Sequence, residues 1–311
     1  MKNIITLTLS PTIDKSTVVD KFIPEQKLSC APPKFEPGGG GINVSRALKK
    51  LGTPSFALYP AGGVPGQLLQ QLLDAEDVMN HGIATRNPSR ENFIVVESAT
   101  NQQFRFGMPA VELFPQEEDL ILHTLKELSR GAGYVIASGG VPPGITPGFF
   151  AKLARICKAA DARFVVDTSG DALEEAVNEG VYLLKPNLGE LSHLLGKAEL
   201  DNDSADDAAR ELIGKGKCEV VVVSMGAQGA YLVSALETKH VVAPVVKKQS
   251  TVGAGDSMVA GMIHALSNGS TLTQAVRMGV ACGSAATMNP GTELFHPNDA
   301  LRLYSRITDR G

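Results

Sequence analysis

From residue 116 onward the chain keeps one rhythm, in which a helix-forming stretch alternates with a short apolar run. Stretches 116–129, 147–159, 171–179 and 204–215 have helical periodicity, and the segments between them (134–138, 163–167, 181–185 and 220–223) are rich in Val, Ile and Leu. A strand that is apolar on both faces has to be covered on both faces, and strands joined through helices run parallel. The pattern therefore predicts an α/β fold with a mostly parallel sheet between two helical layers. Ile4–Leu9 and Ser55–Tyr59 read as earlier strands of that sheet, with Gly66–Ala75 as a helix. Further strands are expected at Tyr231–Val233 and from His240 to Val246, and two helices at 256–267 and 272–287 follow.

Two regions depart from the rhythm. Residues 16–36 carry short apolar pieces broken by Pro24, Pro32 and Pro33, a pattern confined to sheet edges because proline cannot donate to a ladder. Phe93–Glu97 and Gln103–Gly107 alternate as a hairpin with Thr100 and Asn101 at its turn. Together, from about 12–36 and 90–108, they are expected to form a small β lid on one domain spanning 1–311. The net charge of −4 argues against a nucleic-acid or anionic-membrane partner. No run approaches the roughly 18 apolar residues of a membrane helix, and the N-terminal segment alternates like a strand of the fold rather than a signal peptide. Cys30, Cys157, Cys218 and Cys282 form no CxxC pair, so reduced thiols and a cytoplasmic setting are expected.

Three segments carry chemistry. In Ser250-Thr-Val-Gly-Ala-Gly-Asp256, Gly253 and Gly255 strip side chains from a helix start, where free amides and the helix dipole attract an anion. Asp256 then stands as a base beside that anion site or, equally well on this segment alone, as a helix N-cap. Gly38–Gly41 reads as a bare linker or, because it leads directly into a helix with Asn43 in its first turn, as a place where a polar ligand approaches the backbone. Lys185-Pro-Asn187-Leu-Gly-Glu190 falls at a strand end, where ligands of open α/β sheets bind. Asn187 and Glu190 can share a hydrated Mg²⁺, or Glu190 can simply complement a helix dipole. Ser224, Gly226 and Gly229 sit in a strand–turn–strand segment that alone is a hairpin and is compatible with nucleotide contacts. Neither GxxxxGK[ST] nor a GxGxxG after the first strand is present, which disfavours a P-loop enzyme or a dinucleotide fold.

Taken in order, these segments resemble the signatures of the ribokinase/PfkB carbohydrate kinases. The glycine-rich form GGGGxNxxRAxxxLG matches Gly38–Gly52, and GAGDxxxxG matches Gly253–Gly261, with Lys185-Pro-Asn187-xx-Glu190 between them. The resemblance extends from the first strand to Asn289-Pro-Gly291. It implies a ribokinase-like three-layer α/β/α sandwich with a β lid, ATP as phosphoryl donor, Mg²⁺, and a monovalent cation, K⁺. By resemblance Asp256 is the base, and Gly253, Ala254 and Gly255 hold the developing charge. Asp14, Gly39, Gly40 and Asn43 fall on the sugar, and Lys185, Asn187, Ser224, Gly226, Gly229 and Ser284 on ATP. Asn187 and Glu190 would serve Mg²⁺, and Ser250, Val252, Ala286, Asn289 and Gly291 the K⁺. Within the family, Lys27, Arg90 and Arg105 on the lid look like those of kinases acting on a sugar phosphate. The minor 6-phosphofructokinases match best, ahead of tagatose-6-phosphate kinases and 1-phosphofructokinases. Two departures stand out: Ser29 replaces a position that can be basic, and Gly140 one often filled by a sugar-contacting serine. The resemblance also implies a homodimer clasped through the lids, with Lys27 reaching its partner's site.

Overall fold

The computed structural model describes residues 3–201, 204–307 and the backbone of 309 and 310. The apolar runs become strands β1 Asn3–Leu7, β4 Phe56–Gly62, β5 Met79–Thr85, β8 Ala132–Ser138, β9 Arg163–Asp167, β10 Val181–Leu184 and β11 Cys218–Ser224. These pair in parallel, in the order β5-β4-β1-β8-β9-β10-β11. Strands β12 Ala230–Ser234, β13 Thr238–Val241 and β14 Asp309–Arg310 then extend the same sheet antiparallel, giving ten strands in all.

Alternate residues of each central strand point to opposite faces, and each face has its own helical cover. Ile4 and Ile136 pack with α1 (Gly40–Lys50), α8 (Ala254–Ser267), α9 (Leu272–Ala286) and α10 (Pro297–Tyr304). Their neighbours Ile5 and Val135 pack with α3 (Pro115–Leu128), α4 (Phe149–Ala159), α5 (Gly170–Glu179), α6 (Leu188–Leu194) and α7 (Ala205–Gly214). Helix α2 (Gly63–Ala75) closes a smaller core with Ile13, Ile42 and Tyr59. Each fully buried aliphatic contributes about 1.5–3 kcal/mol, so this doubly covered sheet is a rigid platform for whatever sits at its strand ends.

The second sheet has four strands in the order β3-β2-β6-β7, from β2 Thr12–Val19, β3 Lys34–Gly38, β6 Arg90–Glu97 and β7 Gln102–Phe106. β3, which contains Pro37, is an edge strand, as a proline there requires. The β6–β7 hairpin turns through Asn101 at a φ of 56°.

Two expectations change. The strand expected to run from His240 to Val246 ends at Val241. Pro244 cannot donate to a ladder, and residues 243–246 line a cleft instead. Strand β5 had no sequence signal, because at the sheet edge Ile83 alone of its residues is buried. All four cysteines are free, three of them buried. Among the described residues no helix is long and apolar enough to cross a membrane.

Candidate active site

Helix α8 begins where the glycine turn was expected to open it. Gly253 caps it at a φ of 69°, a region that costs any residue with a Cβ, and a Cβ there would also lie 2.8 Å from Leu294 Cδ2. The first-turn amides lack intrahelical acceptors, and Asp256 sits among them. Its Oδ2 accepts from Asn43 Nδ2 at 2.9 Å, and its Oδ1 from Ser138 Oγ at 3.3 Å. Burial and the nearby Asp167 carboxylate push Asp256 up to about 6, against the pull of Asn43, Lys185 and Ser138. A group at that value is mostly ionised at neutral pH, yet basic enough to accept a proton.

Asp167, at the end of β9, pairs with the buried Lys185 at 3.0 Å. Burial opposes the Lys185 charge, but Asp167, Asp256 and Glu190 outweigh it and hold the ammonium above its ordinary range. Ser138, at the end of β8, lies 3.5 Å from Asp167 and so stands between the two carboxylates. Asn187 caps α6 through a reciprocal pair: Glu190 N donates to Asn187 Oδ1 and Asn187 N to Glu190 Oε2, both at 2.9 Å. Beside Lys185 opens a cleft of about 480 Å³. Of the residues expected on a nucleotide, Lys185, Ser224, Gly226, Gly229 and Ser284 line it, together with Ala254 and Gly255 from the α8 turn. Asn187 lies at its edge, bridged in parallel to Ser224.

The lid side meets the same centre. Gly39 takes a φ of 114°, and a Cβ on Gly40 would lie 2.5 Å from Ser138 Oγ, so the tetraglycine presses its backbone against the end of β8. Asp14 is buried; its Oδ1 accepts from Asn92 Nδ2 at 3.0 Å. Burial raises its pKa, and Glu36 adds to the rise while Asn92, Arg90 and Arg46 oppose it. Arg90 donates to the carbonyls of Ser10, Pro11 and Met108, fastening the lid to its base. Arg105 donates to Gln103 and, at 3.2 Å, to Ser250 Oγ, reaching from the lid to the loop before α8. Lys27 is exposed on the β2–β3 connection and is not drawn to this centre by any contact among the described residues. A side chain on Gly140 would meet nothing within 4 Å.

The segments expected around a monovalent cation also converge. Ser250 Oγ donates to Gly291 O at 2.8 Å, Asn289 N donates to Ala286 O at 3.2 Å, and Val252 N donates to Ser250 Oγ at 3.2 Å. Sequence reasoning missed Asp167, Ser138, Asn92, Glu36 and Thr292. The first two had a usable signal, since each is the last residue of a parallel strand, where open α/β sheets place their ligands.

A lidded, mostly parallel sheet with a glycine-capped helix start at its strand ends is the ribokinase architecture. Ribokinase from Arabidopsis thaliana, 19% identical, superposes with a TM-score of 0.75 over 97% of this chain and 98% of its own, a likeness of fold alone. The family model of the pfkB family carbohydrate kinases matches residues 5–299. The ATP-dependent 6-phosphofructokinase isozyme 2 of Escherichia coli (strain K12) is 42% identical over 99% of this chain and 100% of its own. A crystal structure of phosphofructokinase-2 from Escherichia coli in complex with potassium matches with a TM-score of 0.94 at 41% identity, covering 98% of this chain and 99% of that one. The chain belongs to the pfkB family of carbohydrate kinases.

Proposed function

We propose that this protein transfers the γ-phosphoryl group of ATP to fructose 6-phosphate, giving fructose 1,6-bisphosphate and ADP, as a cytoplasmic kinase whose single domain spans the chain. One observation carries the reading: the Asn43–Asp256 hydrogen bond joins the first turn of α1, just after lid strand β3, to the α8 turn, whose Ala254 and Gly255 line the 480 Å³ cleft. A sugar hydroxyl held by Asp14 and Asn43 then faces Asp256, with ATP in the cleft and its γ-phosphate at the α8 amides.

Asp256 takes the hydroxyl proton as the oxygen attacks phosphorus, a contribution of roughly 100- to 10,000-fold. The amides of Gly253, Ala254 and Gly255 meet the charge that builds on the transferring group, and Lys185 meets the phosphate oxygens. Arg105, with Arg90 and Lys27, neutralises the sugar's own phosphate.

The residues fit the cations that the family implies. Among the described residues no group of three or more His, Cys, Asp or Glu side chains gathers into a cage. That suits Mg²⁺, which is held by one or two oxygens, waters and the substrate's phosphates. Asn187 and Glu190 would hold it, since the α6 cap uses one lone pair on each of the oxygens involved. When bound, it neutralises phosphate oxygens during transfer. Oxygen donors of Ser250, Val252, Ala286, Asn289 and Gly291 would hold K⁺ beside the same turn. The lid also offers an apolar hollow lined by Val19, Phe22, Phe93, Val95 and Phe106, the face through which two lids would clasp in a dimer.

ADP release measured across fructose 6-phosphate, tagatose 6-phosphate, fructose 1-phosphate, fructose and ribose tests the reading. The highest kcat/KM is expected on fructose 6-phosphate. A higher value on another acceptor overturns the substrate assignment, and no turnover on any of them overturns the kinase reading.

A further inference from the structure

The two edge strands of the lid, β3 and β7, each make a polar contact with the body of the protein, and both contacts lead to one dipeptide. From β3, Glu36 Oε2 accepts from Thr292 Oγ1 at 2.9 Å. From β7, Arg105 donates to Ser250 Oγ, which in turn donates to Gly291 O at 2.8 Å. Gly291 and Thr292 lie in the loop between α9 and α10, and Ser250 also accepts from Val252 N at 3.2 Å, just ahead of the α8 turn.

The β3 contact is expensive to build. Glu36 is 7% exposed and Thr292 6% exposed. Glu36 stands directly opposite Asp14 in the β2–β3 ladder, where two carboxylates repel. Lys34 at 3.1 Å and Arg46 at 3.8 Å compensate it, and Arg46 is fixed in turn by Glu76 and Pro37 O. An apolar residue would satisfy packing at this position without such support. The support instead holds a charged acceptor aimed at Thr292, across 256 residues of chain.

We propose that Glu36 and Thr292 are positioning residues. They form the joint through which the lid sets the 291–292 loop and, by way of Ser250, the turn that carries Asp256. Closure over a sugar phosphate thereby tightens the phosphoryl-transfer turn before chemistry begins. The joint stands on the geometry above, and its sugar step rests on the kinase reading.

Hydrogen exchange read over the lid and over residues 287–294 tests both, with Thr292→Val, which deletes the donor at nearly constant shape, and Thr292→Ser, which keeps it. Without any ligand, Thr292→Val is expected to exchange roughly tenfold faster than wild type at 287–294, the factor that one lost hydrogen bond to a charged group is worth. Thr292→Ser should restore the wild-type rate. Equal rates in wild type and Thr292→Val overturn the joint. With fructose 6-phosphate alone, wild type should slow at both the lid and 287–294, and Thr292→Val at the lid only. Slowing of both regions in Thr292→Val overturns the coupling, and slowing of neither in wild type overturns the fructose 6-phosphate assignment and the sugar step with it. In turnover, Thr292→Val should lower kcat with the KM for ATP unchanged, and Thr292→Ser should recover it; a loss that Thr292→Ser does not recover overturns the positioning role.

Discussion

Replacing Asp256 with Asn should inactivate the protein and stabilise it at the same time. Asp256 rises from an ordinary 3.8 to about 6 in the fold, chiefly through burial and secondarily through Asp167. At about 1.4 kcal/mol per pH unit, an ionised Asp256 therefore costs the native state about 3 kcal/mol. The sign follows from where the proton sits. Below about pH 3.8 the folded and unfolded chains both hold it, and Asp and Asn are equivalent. Between 3.8 and 6 the unfolded chain releases the proton while the fold retains it, so wild type loses stability relative to Asn. Above 6 the whole cost is present. An Asn keeps the neutral acid's shape and can still accept from Asn43 Nδ2. Melting temperatures should then be nearly equal at pH 4 and differ by on the order of 5 °C in favour of Asp256→Asn at pH 7.5. The same variant should lose at least 100-fold in turnover while retaining ATP binding. If Asp256 served only to cap or complement the dipole of α8, its removal would cost about 0.3–1 kcal/mol. An Asn variant that melts below wild type at pH 7.5 would refute the reasoning, as would a difference independent of pH.

Other outcomes follow from neighbouring groups. Because Asp167 raises Asp256, the acid limb of kcat/KM should fall near pH 6 in wild type and move lower, by on the order of one pH unit, in Asp167→Asn; an unmoved limb would remove Asp256 or its neighbour from the titration. Arg105→Ala should raise the KM for fructose 6-phosphate at least tenfold more than that for ATP and leave the melting temperature nearly unchanged, since this residue is exposed. Arg90→Ala should show the same KM bias together with a loss of about 1–3 kcal/mol, because three carbonyls lose their donor. Glu190→Gln keeps an oxygen for the α6 cap but not its charge, so the Mg²⁺ needed for half-maximal rate should rise severalfold with stability unchanged. An unchanged Mg²⁺ requirement would leave Glu190 a cap alone, and a loss of stability with it would leave Glu190 a charge on the α6 dipole.

Much of the fold was legible because the covering of a parallel sheet is written into consecutive residues. A run such as Val220–Val223 has no polar face to offer water, and both of its faces are buried here. The lid was legible from alternation and from proline. Strand β5 was not, because an edge strand that buries only Ile83 needs no periodicity. The stop of β13 at Val241 was misread because Ala243 and Val246 are apolar for a different purpose, lining the cleft. In the site, glycine patterns announced the backbone positions well, since a φ such as that of Gly39 forbids other residues. The acidic partners were harder to see. Asp167 looks like any strand-end aspartate until Lys185 is folded against it, and nothing local in Glu36 or Thr292 foretells a contact between them.

The sequence set structural and functional readings against each other at Asp256 and Glu190; Gly253 and not Asp256 caps α8, and at Glu190 lone-pair counting shows why the opposition was too strict. A carboxylate offers about four acceptor sites and an amide oxygen two. Asn187 Oδ1 gives one to the Glu190 amide, and Glu190 Oε2 one to the Asn187 amide, so the cap leaves acceptor capacity on both residues for a hydrated cation. Asp256 accepts from Asn43 on one oxygen and Ser138 on the other, and still has lone pairs to receive a sugar proton. Those same bonds fix its rotamer, as the proposed role of a base requires. On the proposed reading, the structural bond does the orienting and the remaining lone pairs are left for the chemistry. Variants that keep the cap and remove the charge, such as Glu190→Gln, therefore separate the two roles more cleanly than alanine, which deletes both at once.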